Sequence, residues 1–366
     1  MGISCLQLMP EERRKGLKIV VLGGGISTER HVAQVTATSV CRALRRMGHK
    51  AVYVDLFLGL EDYDKPLEQV FDEPGGLCGD VAIHETEPDL DAVWAGRRFQ
   101  SRGHLGKGVA DVCALADCVF LGLHGKDGED GKIQSMLELM GVPYTGSGPL
   151  ASAIAMDKAM AKRVLESRGV LTPKWQELTY HAEEIPQLTE SLPVPCAVKI
   201  VDGGSSIGVR LPDTREELNS ALKYILRYGN RIVVEEKIIG REMTVPVLNG
   251  RALSPIEVIT PEFNYIAKYQ SGTAGAQEIC PADLTEEEDN MLRRAAESVY
   301  RGLDLRVYCR VDFILDANGL AWFLEVNTLP GMTPTSLIPR AAKVEGMSYD
   351  ELCEEIVQLS VREVRS

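Results

Sequence analysis

Apolar and polar positions follow two different rhythms along this chain, and the change of rhythm divides it. Residues 17–25, LKIVVLGGG, form a continuous apolar run ending in glycines, which predicts a buried strand feeding a tight turn. Ser27 or Thr28 stands where a helix would be capped. Ala33, Ala37, Val40, Leu44 and Met47 then recur at spacings of four and three, one face of a helix, and Gly48 is placed to end it. KAVYVDL (50–56) and CVFLGLHG (118–125) read as further strands, and IQSMLELMG (133–141) as a short helix. A strand–helix–strand opening predicts an α/β arrangement with a parallel sheet. Residues 60–115 carry too little periodicity to predict any element.

Beyond Gly146-Ser147-Gly148 the rhythm changes. A helix is expected over about 152–168. CAVKIV and GVRL flank the loop DGGSSI as a hairpin, and Thr214 with Glu217 forms a capping box ahead of a helix over about 215–228. RIVVEEKI is a strand. MTVPVL, the turn Asn249-Gly250 and ALSPIEVI make another hairpin. Thr285 and Glu288 cap a helix over 286–301, and a long hairpin follows over about 305–327. This part is α+β and antiparallel, so the fold class is mixed, with breaks near 146 and 236.

Composition narrows the function. The 366 residues are 45% hydrophobic and 25% charged, which excludes a disordered, collagenous or coiled-coil chain. A net charge of −13 makes the chain a poor generic nucleic-acid binder, and no nucleic acid is expected as a partner. No apolar run approaches the roughly 18 residues of a membrane span, so no membrane partner is expected. The nine cysteines are odd in number and include no CxxC, which points to reduced thiols and a cytoplasmic protein. Arg13 to Lys15 follow the first apolar stretch instead of preceding it, unlike a signal peptide.

The long hairpin, RVYCRVDFILDANGLAWFLEVNT, carries the most chemistry. With a two-residue turn at Asn318-Gly319, Asp312 faces Glu325 and Arg310 faces Asn327, all on one face. Val311, Phe313, Trp322 and Leu324 would take the buried face. Two carboxylates about 5 Å apart repel by about 3 kcal/mol at an effective dielectric near 20, so a cation is expected between them. A hard divalent cation, Mg²⁺ or Mn²⁺, with Asn327 as a third oxygen, suits this donor set better than a merely solvated polar face. Four other segments offer weaker signals. Lys199 precedes Gly203-Gly204-Ser205-Ser206, whose N–H groups could wrap a phosphate, and Lys158 offers a second ammonium. His124-Gly125 and Gly128 to Gly131 could let backbone approach a ligand. Residues 260–281 look like a lid. Gly23-Gly24-Gly25 hints at a dinucleotide site and hence a dehydrogenase, but the third glycine of that motif would fall at Thr28.

In this order the segments GGGISTERHV, LHGKDGEDGKIQ, GSGPLASAIAMDKAMAK, VKIVDGGSSIGV, EEKIIGRE, AKYQSG, CRVDFILD and FLEVNTLPGMTPTSLIP resemble the D-alanine–D-alanine ligases of the ATP-grasp superfamily, over roughly residues 20–340. The resemblance implies a three-domain ATP-grasp fold: an N-terminal α/β substrate domain (1–146), a central subdomain (147–236) and a C-terminal subdomain with a metal site (237–366). It implies ATP, two Mg²⁺ or Mn²⁺ ions and a homodimer. It implies peptidoglycan-precursor synthesis, in which ATP phosphorylates one D-alanine and the amine of a second displaces phosphate.

By the same resemblance, Lys158 and Lys199 hold ATP phosphates, Glu235, Glu236, Lys237 and Ile238 read adenine, and Glu242 meets the ribose. Asp312, Glu325 and Asn327 are the metal ligands, and Lys268 meets the transferred phosphate. Arg310 and the Gly331 N–H stabilise developing negative charge. Glu29 takes the first substrate's ammonium, with His124 nearby and Ser205 and Tyr269 as hydrogen-bonded partners. Ser336 and Leu337 meet the second substrate. Three positions depart from the family pattern: Ile200 stands where proline is common, and His31 and Ala33 alter the N-terminal motif. Tyr269 favours a D-amino acid as second substrate; a related ligase using D-serine or D-lactate is the alternative.

Overall fold

A computed structural model describes residues 16–79, 88–203, 208–259 and 277–363. The chain forms two compact units. Residues up to 128, 132–146 and those from Gly331 onward make the first; 129–131 and 147–330 make the second.

The first unit is built on a parallel sheet in the order β2-β1-β3, with β1 Lys18–Gly23, β2 Lys50–Asp55 and β3 Cys118–Leu121. Ile19 to Leu22 and Cys118 to Phe120 are fully buried, as continuous apolar strands require. The helix Arg30–Arg46 covers this sheet with Ala33, Ala37, Val40 and Leu44, the face its spacing predicts. It starts later than expected. Glu29, not Ser27 or Thr28, takes the cap position, without a side-chain capping bond. Gly48 does end it, at a φ of 93°. The first two glycines of the Gly23–Gly25 run serve packing, not a dinucleotide. A Cβ on Gly23 would stand 2.4 Å from the Ala37 Cβ, and one on Gly24 2.1 Å from the Asp55 carboxylate. Asp55 pairs with the buried Arg30 guanidinium at 2.6 Å.

Among the described residues of 60–115 short helices form, among them Leu90–Gly96 and Val109–Ala114. The last helix, Tyr349–Glu363, belongs to the first unit and was not foreseen from the pattern. Arg46 grips Asp350 there through two bonds of 2.6 and 2.8 Å.

The second unit contains two antiparallel sheets. One runs β4-β7-β5-β6, with β4 Trp175–Thr179, β5 Cys196–Ile200, β6 Val209–Arg210 and β7 Arg231–Glu236. β4 and the helix Ile185–Ser191 have no clear signature in the sequence. The other sheet runs β11-β10-β8-β12-β13, with β9 paired to β8. Its strands are β8 Gly240–Leu248, β9 Arg251–Ala252, β10 Ile256–Ile259, β11 Gln277–Ile279, β12 Tyr308–Asp316 and β13 Ala321–Asn327. Asn249 and Gly250 make the expected two-residue turn, both at positive φ. The run after it does not stay one strand: it breaks at Pro255 into β9 and β10. The helix expected over 152–168 is likewise two, Pro149–Met156 and Lys158–Ser167, because Asp157 leaves helical geometry and caps the second by accepting from the Met160 N–H at 2.8 Å. That break makes Lys158 the first residue of a helix.

The long hairpin corrects the turn and keeps the register. Its end pairs are Leu315↔Ala321 and Ile314↔Trp322, so the loop is Asp316 to Leu320 and not a two-residue Asn-Gly turn. That shifts the pairing by one. A bulge between Phe313 and Asp312, where Leu324 is the extra residue, shifts it back, and Asp312↔Glu325 and Arg310↔Asn327 are partners. The bulge also changes the faces of β13. Phe323 and Val326 join Val311 and Phe313 in the core, whereas Trp322 and Leu324, expected there, lie on the other side and are only half-buried.

The eight cysteines among the described residues form no disulfides. Among the described residues no helix is long and apolar enough to cross a membrane.

Candidate active site

The second unit contains a cleft of about 490 Å³. Lys199, Glu235, Glu236, Lys237, Ile238 and Glu242 line it, together with Asp312 and Glu325. Its apolar walls include Ala197, Val209, Leu211, Ile314 and Leu324. A slot with apolar faces and a charged end suits a flat heterocycle carrying an anionic tail. Ile314 shares the Asp312 face by simple alternation, whereas the same rule assigns Leu324 to the core, and only the bulge turns it into the cleft.

At the charged end, Asp312 is 5% exposed and heavily bonded. Arg310 donates to both its oxygens, at 3.0 and 2.9 Å, and Thr244, its partner on β8, donates to Oδ1 at 2.5 Å. Glu325 lies 3.1 Å from the Lys158 ammonium, which also donates to the Gly203 carbonyl. The repulsion that the sequence assigned wholly to a metal is thus met in part by Arg310 and Lys158. A divalent cation still fits the donors. A carboxylate has about four lone-pair sites, of which three on Asp312 are used. Glu325 and the Asn327 amide add hard oxygens on the same hairpin face, and the Asn327 Oδ1 also accepts the Leu329 N–H at 3.1 Å. Among the described residues no three His, Cys, Asp or Glu side chains gather as a metal site, so the third ligand would have to be the Asn327 amide.

Lys199 reaches Glu235, whose side chain is 1% exposed. Burial pushes the Glu235 carboxyl up, but Lys199 and Lys162 outweigh it and hold it below the usual carboxylate value. Nothing in the sequence pattern sets Lys162 apart from other helical lysines except its spacing of one helical turn from Lys158. Ile200, the departure from the family pattern, fills the space beside the glycine loop. A Cβ on Gly203 would stand 2.1 Å from its Cγ2, and one on Gly208 2.2 Å. Those two glycines are therefore required by packing as well as by any phosphate. Lys237 pairs with Asp213 at 2.6 Å, and Glu236 is exposed.

The first unit holds Glu29, His124, Gly331, Ser336 and Leu337 of the residues assigned to the amino-acid substrates. The Ser27 hydroxyl donates to the His124 carbonyl at 2.9 Å, and the Glu29 N–H donates to the Ser27 hydroxyl at 3.3 Å. His124 Nε2 is 3.1 Å from the Thr36 hydroxyl. Gly125, at a φ of 67°, leaves room for Glu29: a Cβ there would lie 2.9 Å from its Oε2. Near Gly331, the Ser336 hydroxyl accepts the Thr333 N–H at 3.1 Å, and Leu337 opens the helix Leu337–Val344. Ser205, Lys268 and Tyr269 lie outside the described residues, as does most of the expected lid over 260–281.

Family models match nearly the whole chain, "D-ala D-ala ligase N-terminus" over residues 18–147 and "D-ala D-ala ligase C-terminus" over 164–358. The chain belongs to the D-alanine–D-alanine ligase family. The ligase of Lacticaseibacillus casei is 38% identical over 93% of this chain and 95% of its own length. That of Pediococcus pentosaceus is 39% identical over 93% and 97%. Among solved ligases, the Bacillus anthracis enzyme complexed with ATP aligns with a TM-score of 0.68 at 27% identity, over 96% of this chain and 99% of its own. The Coxiella burnetii enzyme aligns with a TM-score of 0.70 at 26% identity, over 96% and 95%. The ATP-grasp fold expected from the sequence is therefore present. The family's enzymes are ATP-dependent, ADP-forming ligases of peptidoglycan synthesis.

Proposed function

We propose that this chain joins two D-alanines into D-alanyl-D-alanine in the cytoplasm, as a homodimer with three functional divisions (1–146, 147–236 and 237–366). The observation that carries the reading is the charged end of the cleft, where Asp312 pairs across the hairpin with Glu325, Lys158 meets Glu325, and Lys199 lines the same cleft.

A free carboxylate is a poor electrophile. One carboxylate oxygen of the first D-alanine attacks the γ-phosphorus of ATP, ADP leaves, and the product is a D-alanyl phosphate. The amine of the second D-alanine then attacks the carbonyl carbon, phosphate departs with the bonding electrons, and the amine gives up a proton. Phosphoryl transfer depends on positioning and charge neutralisation. Lys158 and Lys199 hold phosphates, the apolar walls and the 235–238 segment hold adenine, and Glu242 holds the ribose. Asp312, Glu325 and Asn327 would hold two Mg²⁺ or Mn²⁺ ions, which supply charge neutralisation at the phosphates. Glu29 and His124 orient the first D-alanine, with Ser205, Lys268 and Tyr269 closing over it. Arg310 and the Gly331 N–H stabilise the tetrahedral oxyanion, and Ser336 and Leu337 seat the second substrate.

Phosphate release with ATP and D-alanine tests this directly. Release that requires D-alanine, and yields the dipeptide, is expected. D-serine or D-lactate replacing D-alanine as the better acceptor would overturn the substrate assignment.

A further inference from the structure

Lys162, Glu235 and Lys199 form a buried triad at the wall of the cleft. The two ammonium groups sit on different oxygens of one carboxylate: Lys162 on Oε2 at 2.8 Å and Lys199 on Oε1. Lys162 has no exposed side-chain surface, so it cannot meet a nucleotide itself, whereas Lys199 and Glu235 both line the cleft. Lys162 also points at Phe323, with its ammonium 3.5 Å from the carbonyl and 5.8 Å from the ring centroid. Burying an ammonium is costly, and burial holds that of Lys162 below its usual range despite Glu235. An apolar side chain would fill the same space without that cost, so the charge calls for a purpose.

The charge balance supplies one. Glu235 with Lys199 alone would be a neutral pair, and the carboxylate would cancel the field Lys199 presents to the cleft. With Lys162 on the other oxygen, the triad itself holds two cations and one anion, with Glu166 acting on Lys162 from further off, and its own balance at the cleft wall is positive. We infer that Lys162 is a positioning residue for the nucleotide's phosphates, acting through Glu235 to keep the Lys199 ammonium both fixed and electrostatically effective. This rests on the reading of the cleft as the nucleotide site.

Calorimetric binding of ATP and of adenosine to the full-length protein tests it, with the wild type, Lys162→Met, Lys162→Gln and Lys162→Arg. Gln keeps a hydrogen bond to Glu235 but carries no charge; Arg keeps the charge. Met and Gln should each weaken ATP by about tenfold while changing adenosine less than about twofold, and Arg should restore ATP to within about threefold. The KM for ATP should rise in step, with the KM for D-alanine unchanged. Equal weakening of ATP and adenosine would show a purely structural role and overturn the inference, as would unchanged ATP binding. Failure of both Met and Gln to fold while Arg folds would also assign Lys162 to stability alone and overturn it. A wild type that binds no ATP would overturn the nucleotide reading, and this inference with it; a wild type that binds ATP beside unaffected variants would overturn this inference only.

Discussion

Asp312 stands directly opposite Glu325 across the β12–β13 hairpin. Both carboxylates line the same cleft, and each has a cation of the protein beside it, Arg310 for Asp312 and Lys158 for Glu325. Replacing either acid with its amide, Asp312→Asn or Glu325→Gln, keeps the shape and removes a hard anionic ligand. Mg²⁺-dependent phosphate release should fall by about three orders of magnitude in each. Normal rates in both variants would remove the metal assignment.

Leu324 owes its place in the cleft to the bulge. Leu324→Ala shortens an apolar wall where adenine is assigned. The KM for ATP should rise about fivefold, with the KM for D-alanine unchanged. Steady-state kinetics with each substrate varied in turn separates the two, and a change confined to D-alanine would contradict the assignment.

Gly125→Ala would add a Cβ at a φ of 67° and within 2.9 Å of the Glu29 carboxylate. Both effects push Glu29 from its position. The KM for D-alanine should rise about tenfold, and the ATP KM should not follow. Unaltered D-alanine kinetics would argue against Glu29 as the ammonium partner.

Arg30 and Asp55 are a buried ion pair at the C-terminal end of β2, and Asp55 also accepts the N–H groups of Phe57 and Leu58 at 2.9 and 3.0 Å. Arg30→Met leaves the carboxylate buried with its cation gone. A loss of about 3–5 kcal/mol in urea unfolding is expected. A loss below about 1 kcal/mol would show that the backbone donors suffice.

Glu257 is held by Arg241 through two bonds of 2.8 and 2.7 Å, and the Arg241 hydrogen bond draws its carboxyl below the ordinary value of 4.5. A lowered folded value means the stabilisation is complete above the unfolded value and is lost as pH falls through the folded one. Glu257→Gln should therefore destabilise at pH 7, and its cost should shrink as the pH drops below about 4.5. A cost that stays constant down to acid pH would show that the pair is not the source.

The sequence by itself determined which groups are candidates for the chemistry of this protein. Asp312, Glu325, Asn327, Lys158 and Lys199 can be named from residue type and spacing, because strand alternation and turn signals are local properties of the backbone. The tertiary structure decided what local rules cannot reach. The hairpin register is right at Asp312 and Glu325 through two departures that cancel, a longer turn and a bulge at Leu324, and strand alternation carries no sign of an extra residue on one strand. The helix Tyr349–Glu363 groups with the first unit because it buries Leu352, Cys353, Ile356 and Val357 there, and Asp350 meets Arg46, a partner 304 residues away. Lys162 reads in the sequence as one more helical lysine; only the closing of its helix over Glu235 makes it a buried charge. Spacing along a chain fixes which groups share an element, and packing between elements fixes which charges meet.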